Sequence, residues 1–470
     1  MKKVYLALLL ILLLGFALRS HNVLLESYGE PDSHFHIRLS ETLKEEKAIP
    51  ERDEFSNQGR FYSYPPMYHL SYAILSILSF IDVEFLARIY PILYGLIGVL
   101  AVFLFARKLF NTRIALFSAF FLSTMAYHLM RTSAESRPDG LALLIIPFII
   151  YLLYCKRFKL AAVISVFQIL LHPLSTMYLS FFLILWIFVF KVMRKPIEAK
   201  KIFMVIELIV IVFLLWVMSL PYPATDYVSN VSFESSEMQK PLMMEFFTLF
   251  SIAWAFMMIG LMQSKKKLFL LLWFGFSFVY AMFGARLGIF VSFPAAILAG
   301  AGFDFILEKV KDYKKIFYFL VLLLCLIALV PGTQNNYRLL NEKEITSMSW
   351  LKEFTHPDSN IMSVWDRGHP LTRIAERKVI MDGYFEFASD LAGRNKAMKE
   401  LVSTADCSNI YDNIHSFNIN YFYLYSKALH SREFLLGVLE AKECYLMNSV
   451  FENDGSKIIQ YDLKSIYIDE

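Results

Sequence analysis

Long apolar runs alternate with short polar segments over roughly the first 331 residues of the chain. Each run has roughly 15–22 residues, close to the length that a helix needs to cross a hydrocarbon layer about 30 Å thick. The runs then stop, and the last stretch of roughly 140 residues is long enough to fold as one domain. This pattern predicts an α-helical polytopic membrane domain at 1–331 and a separate polar domain at 332–470.

Basic residues set the predicted topology. The chain of 470 residues is 57% hydrophobic, above the roughly 45–50% of soluble proteins, and its Lys and Arg side chains cluster in alternate loops. Because the positive-inside rule assigns such loops to the cytoplasm, we expect a multi-pass protein of the cell membrane with a cytoplasmic N-terminus and an extracytoplasmic C-terminal domain. About eleven spans are predicted, near 1–19, 86–106, 113–130, 140–155, 160–172, 174–191, 202–220, 243–263, 268–284, 287–304 and 316–331.

The short apolar run Tyr68–Ile81 is predicted not to span the membrane. Counting it as a span would place the basic residues Arg107, Lys108 and Arg113 outside, against the positive-inside rule. We therefore expect a helix that lies in or on the outer interface, within a large first outer loop at 20–85.

Three predicted outer loops carry the candidate chemistry. Their singled-out side chains are Asp32, His34, His36 and Arg38 in the first loop, Arg131 and Asp139 in the second, and Glu237 in the third. Carboxylates gathered on one face suit a divalent cation, because oxygen ligands hold Mg²⁺ or Mn²⁺ and the cation neutralises a phosphate leaving group. The alternative is that these residues are ordinary solvated acids and surface histidines.

The polar tail alternates strand-like and helix-like segments, which predicts a small α/β domain with a partly parallel sheet. Strands are predicted at Asn360–Trp365, Lys378–Met381 and Ile419–Tyr425, and helices at Pro370–Arg377 and Ser389–Val402. The segment Trp365-Asp366-Arg367-Gly368 follows the end of a strand, where ligands bind in α/β sheets. Alternatively, it is a strand-to-helix turn in which the Asp caps and the Gly bends.

Arg286 lies where one predicted outward span meets the next. An arginine at the outer membrane boundary can extend its charged end to the interface. It can equally bind a lipid phosphate or a carboxylate through two parallel hydrogen bonds. The sequence leaves both interpretations open.

Five short motifs, in order along the chain, resemble those of one family. They are Asp32-Ser-His-Phe-His-Ile-Arg38, Arg131-Thr-Ser-Ala-Glu-Ser-Arg-Pro-Asp139, Ser236-Glu237-Met-Gln239 before Pro241, the apolar run that follows Arg286, and Val364-Trp365-Asp366-Arg367-Gly368. Together they resemble the catalytic subunit of oligosaccharyltransferase, within the C-type membrane glycosyltransferase superfamily. The chain departs from the family pattern at two motifs: Pro138 and Gly140 replace the second-loop acids, and Val364 and Arg367 replace a Trp and a Tyr.

The resemblance implies an enzyme that transfers a sugar or glycan from a polyprenyl-phosphate-linked donor to an extracytoplasmic acceptor, with a protein Asn as one candidate. It implies a metal-dependent reaction with Mn²⁺ or Mg²⁺, and no nucleic acid partner. The implied roles are catalysis by Asp32 and Glu237, metal binding by Asp32, Asp139 and Glu237, and substrate binding by Arg286, Trp365, Asp366, Arg367, Gly368, His34, His36, Arg38 and Arg131. A transporter or flippase of lipid-linked sugars and a non-catalytic relative of the enzyme are the alternatives.

Overall fold

The computed structural model describes most of the helical region and the centre of the tail. The described residues are 2–24, 31–62, 64–133, 136–218, 252–264, 267–310, 340–384, 414–425, 447–453 and 456–461, with single positions at 250, 313, 315, 318, 390, 393, 394, 396 and 397. Glu237, the predicted boundary at 331 and most of the predicted helix Ser389–Val402 lie outside them.

Helices occupy the predicted membrane part. They are α1 (Lys2–Leu24), α2 (Pro31–Glu46), α3 (Met67–Ser79), α4 (Val83–Leu109), α5 (Thr112–Thr124), α6 (Ala126–Arg131), α7 (Pro138–Tyr154), α8 (Phe158–Leu171), α9 (Pro173–Val192), α10 (Ala199–Met218), α11 (Ala253–Gln263), α12 (Leu268–Ala281) and α13 (Ser292–Lys309). Within the described part of the chain, four helical stretches are long and apolar enough to cross a membrane: Lys2–Ser20, Val83–Leu109, Leu174–Val192 and Leu287–Lys309. Nearly all of 316–331 lies outside the described residues, so the number of spans stays a prediction.

The bundle is built around α13, whose most apolar stretch is 89% buried. Its Gly302 lies directly against α11, because a Cβ on Gly302 would stand 1.9 Å from the carbonyl oxygen of Phe256. Gly260 of α11 makes the reciprocal contact, with 1.9 Å to the carbonyl oxygen of Leu298. Small residues that let backbones approach in this way are typical of helix contacts in membranes.

The predicted interfacial segment forms helix α3, which has two unlike sides. Tyr68, His69 and Tyr72 are buried against α2 and α4, whereas Leu78 is 72% exposed and Phe80, just after the helix, is 95% exposed. A helix with one apolar exposed side and one buried side suits a position at a membrane surface.

The predicted span at 113–130 is divided at Met125 into α5 and α6. Arg19 of α1 is fully buried beside this break, where its Nε donates to Thr132 Oγ1 at 2.9 Å and its Nη2 lies 2.8 Å from His128 Nδ1. These hydrogen bonds join α1 to the segment that carries Arg131 and Asp139.

The tail contains one five-stranded sheet, as the α/β pattern predicts. After helix α14 (Glu342–Phe354), the chain runs through β3 (Asn360–Met362), a short helix α15 (Trp365–Pro370), β4 (Lys378–Val379), β5 (Ile419–Tyr425), β6 (Met447–Asn453) and β7 (Ser456–Tyr461). The strand order is β4-β3-β5-β7-β6, with β3 parallel to β4 and β5 and the other pairs antiparallel. The predicted helix at Pro370–Arg377 is instead the end of α15 and one π-helical turn, Leu371–Ala375.

This sheet domain (the described part of 340–461) is joined to the first-loop segment (31–79). The first-loop segment includes a small hairpin of β1 (Arg52–Asp53) and β2 (Arg60–Phe61). Between these strands, Asn57 donates its backbone N–H to the carbonyl of Val379 and the carbonyl of Phe55 accepts from Val379, both at 2.9 Å. The first-loop segment therefore extends the sheet beyond β4. The whole contact between the first-loop segment and the sheet domain is called the seam below.

Candidate functional site

Asp32 lies in the first turn of a helix and not in a loop. Helix α2 begins at Pro31, a residue suited to a helix start because it has no N–H to leave unpaired. His34 and His36 are 0% and 1% exposed, so the expectation of surface histidines is wrong for both. Burial lowers the pKa of both imidazoles well below the usual value, which keeps them neutral at neutral pH.

The second-loop residues contact the start of this helix. The backbone N–H of Ser136 donates to Ser33 Oγ at 3.0 Å. Next to it, the Arg137 guanidinium lies 3.4 Å from Asp32 Oδ2 and 3.7 Å from Asp139 Oδ1. Arg131 adds a second guanidinium 3.8 Å from Asp139 Oδ2. The structure thus brings Asp32, Asp139 and Arg131 together, as the sequence predicts, around an arginine that the sequence analysis did not single out.

The sheet domain reaches the same carboxylate from the other side. A Cβ on Gly383 would stand 2.7 Å from Asp32 Oδ1 and 2.9 Å from His369 Nε2. His369 is 1% exposed, and its Nδ1 lies 3.7 Å from Asp382 Oδ2. Glycine at this position therefore lets the backbone of this turn lie directly against a carboxylate and an imidazole nitrogen. The side chain of Asp32 is 17% exposed, so the site opens to the surroundings.

Buried ion pairs hold the seam together beside this site. Arg38 donates to both oxygens of Asp53 at 2.8 and 2.7 Å, and Arg60 bridges Asp53 at 2.8 Å to Asp382 at 2.6 Å. Burial alone would raise the pKa of Asp53, but the two guanidinium groups lower it well below its usual range. Arg38, predicted to bind substrate, is therefore engaged in a buried pair with Asp53.

A chain of hydrogen bonds also crosses the seam through His36. Its Nδ1 lies 2.8 Å from His69 Nε2, and its Nε2 lies 3.1 Å from the hydroxyl of Tyr384. Burial lowers the pKa of His69 to about 3. His36 thus connects α2 with α3 and the sheet domain, next to Asp32.

The Trp365–Gly368 segment follows β3 directly, as predicted, and forms the start of α15. Arg367 is 1% exposed, donates to Glu344 at 2.7 Å and stacks 3.8 Å above the ring of Tyr425. Asp366 accepts from the Tyr425 hydroxyl at 2.6 Å. Both side chains thus make contacts inside the sheet domain, while Trp365 is 36% exposed.

Gly368 is needed for close packing in the same segment. A Cβ there would stand 2.2 Å from the carbonyl oxygen of Met381. Helix α15 therefore packs directly against the turn that carries Asp382 and Gly383, which places His369 near Asp32. Of the remaining predicted residues, Glu237 lies outside the described residues, and Arg286 lies in the 3₁₀ turn Ala285–Val291 before α13.

The described residues fit the implied divalent ion poorly. Among them, no group of three His, Cys, Asp or Glu side chains is arranged to hold a metal ion. The two described carboxylates of the predicted ligand set, Asp32 and Asp139, both contact the Arg137 guanidinium. Because a guanidinium keeps its proton and offers no lone pair, it cannot be a ligand itself.

Residues missed by the sequence analysis include Arg137, His69, Asp53, Arg60, His369, Asp382 and Gly383. For the last two a signal was present. Asp382-Gly383 follows the predicted strand Lys378–Met381, as Trp365–Gly368 follows the strand before it. Carboxyl ends of neighbouring parallel strands lie at one sheet edge, so the strand pattern could have placed the second turn beside the first.

Solved structures share this fold, although no protein-family model and no curated protein matches the sequence. The archaeal oligosaccharyltransferase AglB from Archaeoglobus fulgidus, in complex with an inhibitory peptide and a dolichol-phosphate, has 12% identity and a TM-score of 0.73 over 99% of this chain and 75% of its own. The Archaeoglobus fulgidus oligosaccharyltransferase in complex with Zn and sulfate has 14% identity and a TM-score of 0.71, covering 89% and 68%. ArnT from Cupriavidus metallidurans bound to undecaprenyl phosphate has 13% identity and a TM-score of 0.65, covering 97% and 98%.

The fold is therefore that of the C-type membrane glycosyltransferases. The resemblance to the oligosaccharyltransferase catalytic subunit, drawn from the five motifs, is confirmed at this level. The structural likeness extends over nearly the whole chain, helices and sheet domain included.

Proposed function

We propose that this protein is a membrane glycosyltransferase that uses a polyprenyl-phosphate-linked sugar donor at the outer membrane face. The observation that carries the proposal is the convergence of Arg137 and the sheet domain on Asp32, with Arg131 and Asp139 beside them. Structures of AglB and ArnT hold dolichol-phosphate and undecaprenyl phosphate, which supports a donor of this kind. The acceptor is an extracytoplasmic molecule, with a protein Asn as one candidate.

The chemistry follows from the groups present. The nucleophilic atom of the acceptor attacks the anomeric carbon of the donor sugar, the bond from this carbon to the phosphate oxygen breaks, and polyprenyl phosphate leaves. Asp32 is the acid best placed to take the proton of the nucleophile, because its side chain is 17% exposed, against 11% for Asp139. Arg137 contacts Asp32 and Arg131 contacts Asp139, and both guanidinium groups can neutralise negative charge on the leaving phosphate.

The metal part of the prediction is separate from this scheme. Mn²⁺ or Mg²⁺ at Asp32, Asp139 and Glu237 stays a prediction, since Glu237 lies outside the described residues. When bound, such an ion would supply charge neutralisation at the phosphate. Nothing in the roles proposed for Asp32, Arg131 and Arg137 depends on it.

Sugar transfer by the full chain tests the proposal. The purified protein in lipid nanodiscs is supplied with radiolabelled lipid-linked sugars extracted from membranes of the source organism, and release of label from the lipid is measured. We expect Asp32→Asn to lower release by about 100-fold or more, since general bases contribute about that much. Glu308→Gln is the matched control, because Glu308 is exposed and lies at the far end of α13.

A second variant tests the close packing of Gly383 against Asp32. In Gly383→Ala the new Cβ would stand 2.7 Å from Asp32 Oδ1, so the carboxylate has to move. We expect release to fall by about 10- to 100-fold, as small misplacements in active sites do, with the fold unchanged. Full activity in an Asp32→Ala, Glu237→Ala double variant would sink the proposed site.

A further inference from the structure

Arg137 occupies the position where the family resemblance places a metal. It is 1% exposed, and its guanidinium contacts Asp32 Oδ2 at 3.4 Å and Asp139 Oδ1 at 3.7 Å. Those two carboxylates are the described members of the predicted ligand set. An ion held by both would have to compete with this guanidinium.

The local sequence explains how the arginine reaches this position. Pro138, which replaces a family acid, is the first residue of α7, and Arg137 before it has φ −128° and ψ 150°. A residue before proline is kept extended, so Arg137 is set apart from the helix that carries Asp139. The loss of an acid and the gain of a neighbouring cation thus occur in one tripeptide, Arg137-Pro138-Asp139.

Among the described residues, the two carboxylates of the predicted ligand set are matched by two arginines. Asp32 and Asp139 contribute two negative charges, and Arg137 and Arg131 contribute two positive ones, with Arg131 only 4% exposed. A divalent cation added here would leave an excess of positive charge in a nearly buried place, which is unfavourable. A metal ion held by both carboxylates would therefore have to displace the Arg137 guanidinium from them.

We propose that the Arg137 guanidinium, assisted by Arg131, takes the place of the divalent ion and binds the phosphate of the lipid-linked donor. Guanidinium groups match phosphate oxygens through two parallel hydrogen bonds, and they keep their charge at any physiological pH. When the bond from the anomeric carbon to the phosphate oxygen breaks, this oxygen gains the electron pair and Arg137 neutralises its charge. The phosphate part of this inference rests on the proposed function, whereas the exclusion of metal does not.

Metal binding is tested without any turnover. The full chain in nanodiscs is titrated with Mn²⁺, and free Mn²⁺ is measured by electron paramagnetic resonance, with Asp139→Asn as the comparison. We expect wild type and Asp139→Asn to give the same titration, because no Mn²⁺ binds at this carboxylate. One Mn²⁺ bound by wild type and lost in Asp139→Asn would overturn the proposal.

Phosphate binding is tested with undecaprenyl phosphate as the probe and undecaprenol as the phosphate-free control. Retention by the full chain is measured by native mass spectrometry in the presence of EDTA. We expect Arg137→Gln to lose at least about tenfold in retention and Arg137→Lys to lose less, because a lysine keeps the charge without the paired donors. Arg113→Gln is the control, because Arg113 is half-exposed and pairs with Glu308 elsewhere.

The outcomes separate the two proposals. Retention that is unchanged in Arg137→Gln, or that appears only after Mn²⁺ is added, would overturn the role of Arg137. If neither the wild type nor any variant retained the lipid phosphate, and no Mn²⁺ bound, the proposed donor would be contradicted. The exclusion of metal would still hold. Size-exclusion profiles of Arg137→Lys and Arg137→Gln show whether each variant is folded.

Discussion

The helix bundle and the seam are stabilised in different ways. The bundle has a continuous apolar core in which Phe105, Phe182 and Trp273 are fully buried, and its helices meet at glycines. The seam instead buries charged groups, with Asp53 and Arg60 almost inaccessible to solvent. Apolar contacts are replaceable by others of similar volume, whereas a buried charge that loses its partner is costly. We therefore expect the seam, which holds the site, to be more sensitive to substitution than the helix bundle.

Removing one carboxylate from the seam should give the largest effect. In Asp53→Asn, the guanidinium groups of Arg38 and Arg60 lose a shared charged partner in a buried place. We expect the free energy of unfolding to fall by about 3–5 kcal/mol, measured by denaturant titration of the purified chain. The control Glu308→Gln breaks an exposed pair with Arg113 and should cost less than about 1 kcal/mol. Equal losses in both variants would remove the distinction between buried and exposed pairs.

A smaller loss of stability is expected when a methyl group is added at the contact between α11 and α13. In Gly302→Ala the added Cβ would stand 1.9 Å from a backbone oxygen of α11, so the two helices have to separate. We expect a loss of about 1–3 kcal/mol, as for other overpacked cores, measured as a lower midpoint of thermal unfolding. Gly275→Ala is the matched control, because a Cβ there has nothing within 4 Å. If Gly302→Ala were as stable as this control, α11 and α13 would not be packed as described.

Acid should weaken the seam more than the bundle. Burial lowers the pKa of His69 to about 3, so between the ordinary value near 6.5 and 3 the unfolded chain binds more protons than the folded one. The contribution of neutral His69 to the free energy of unfolding is complete above about pH 6.5. It falls as the pH drops towards 3, by up to about 1.4 kcal/mol per pH unit. We expect His69→Gln to reduce the slope, measured by hydrogen exchange of residues 31–79 at pH 7 and pH 5.

The control for this measurement is His356→Gln, which removes a histidine whose side chain is 75% exposed. It should leave the pH dependence unchanged. Equal protection factors of the wild-type seam at pH 7 and pH 5, after correction for intrinsic exchange rates, would contradict the stated burial of His69 and its partner His36.

Local pattern was sufficient for much of the architecture. The apolar runs predict most described helices to within a few residues, while the exclusion of Tyr68–Ile81 as a span stays a prediction. The strand Ile419–Tyr425 has the predicted bounds, because a short run rich in aromatic residues favours a strand. The five motifs led to the right fold because each lies in a short continuous segment.

Most of the site was beyond reach of the sequence because its contacts join distant segments. His36 meets His69 and Tyr384 only after the first-loop segment has folded onto the sheet domain. For the same reason, two histidines in a polar stretch were expected at the surface and are buried. Arg137 was not predicted, because the carboxylates were interpreted as metal ligands. The sequence does not show that a guanidinium lies between them.

The ion pair of Arg60 with Asp382 joins residues 322 positions apart along the chain. Gly383 and His369, which complete the surroundings of Asp32, are synthesised after helices α1 to α13. A nascent chain in which these helices have just been translated therefore still lacks groups that surround Asp32. The surroundings of this carboxylate form only when a later part of the chain folds back onto an earlier one.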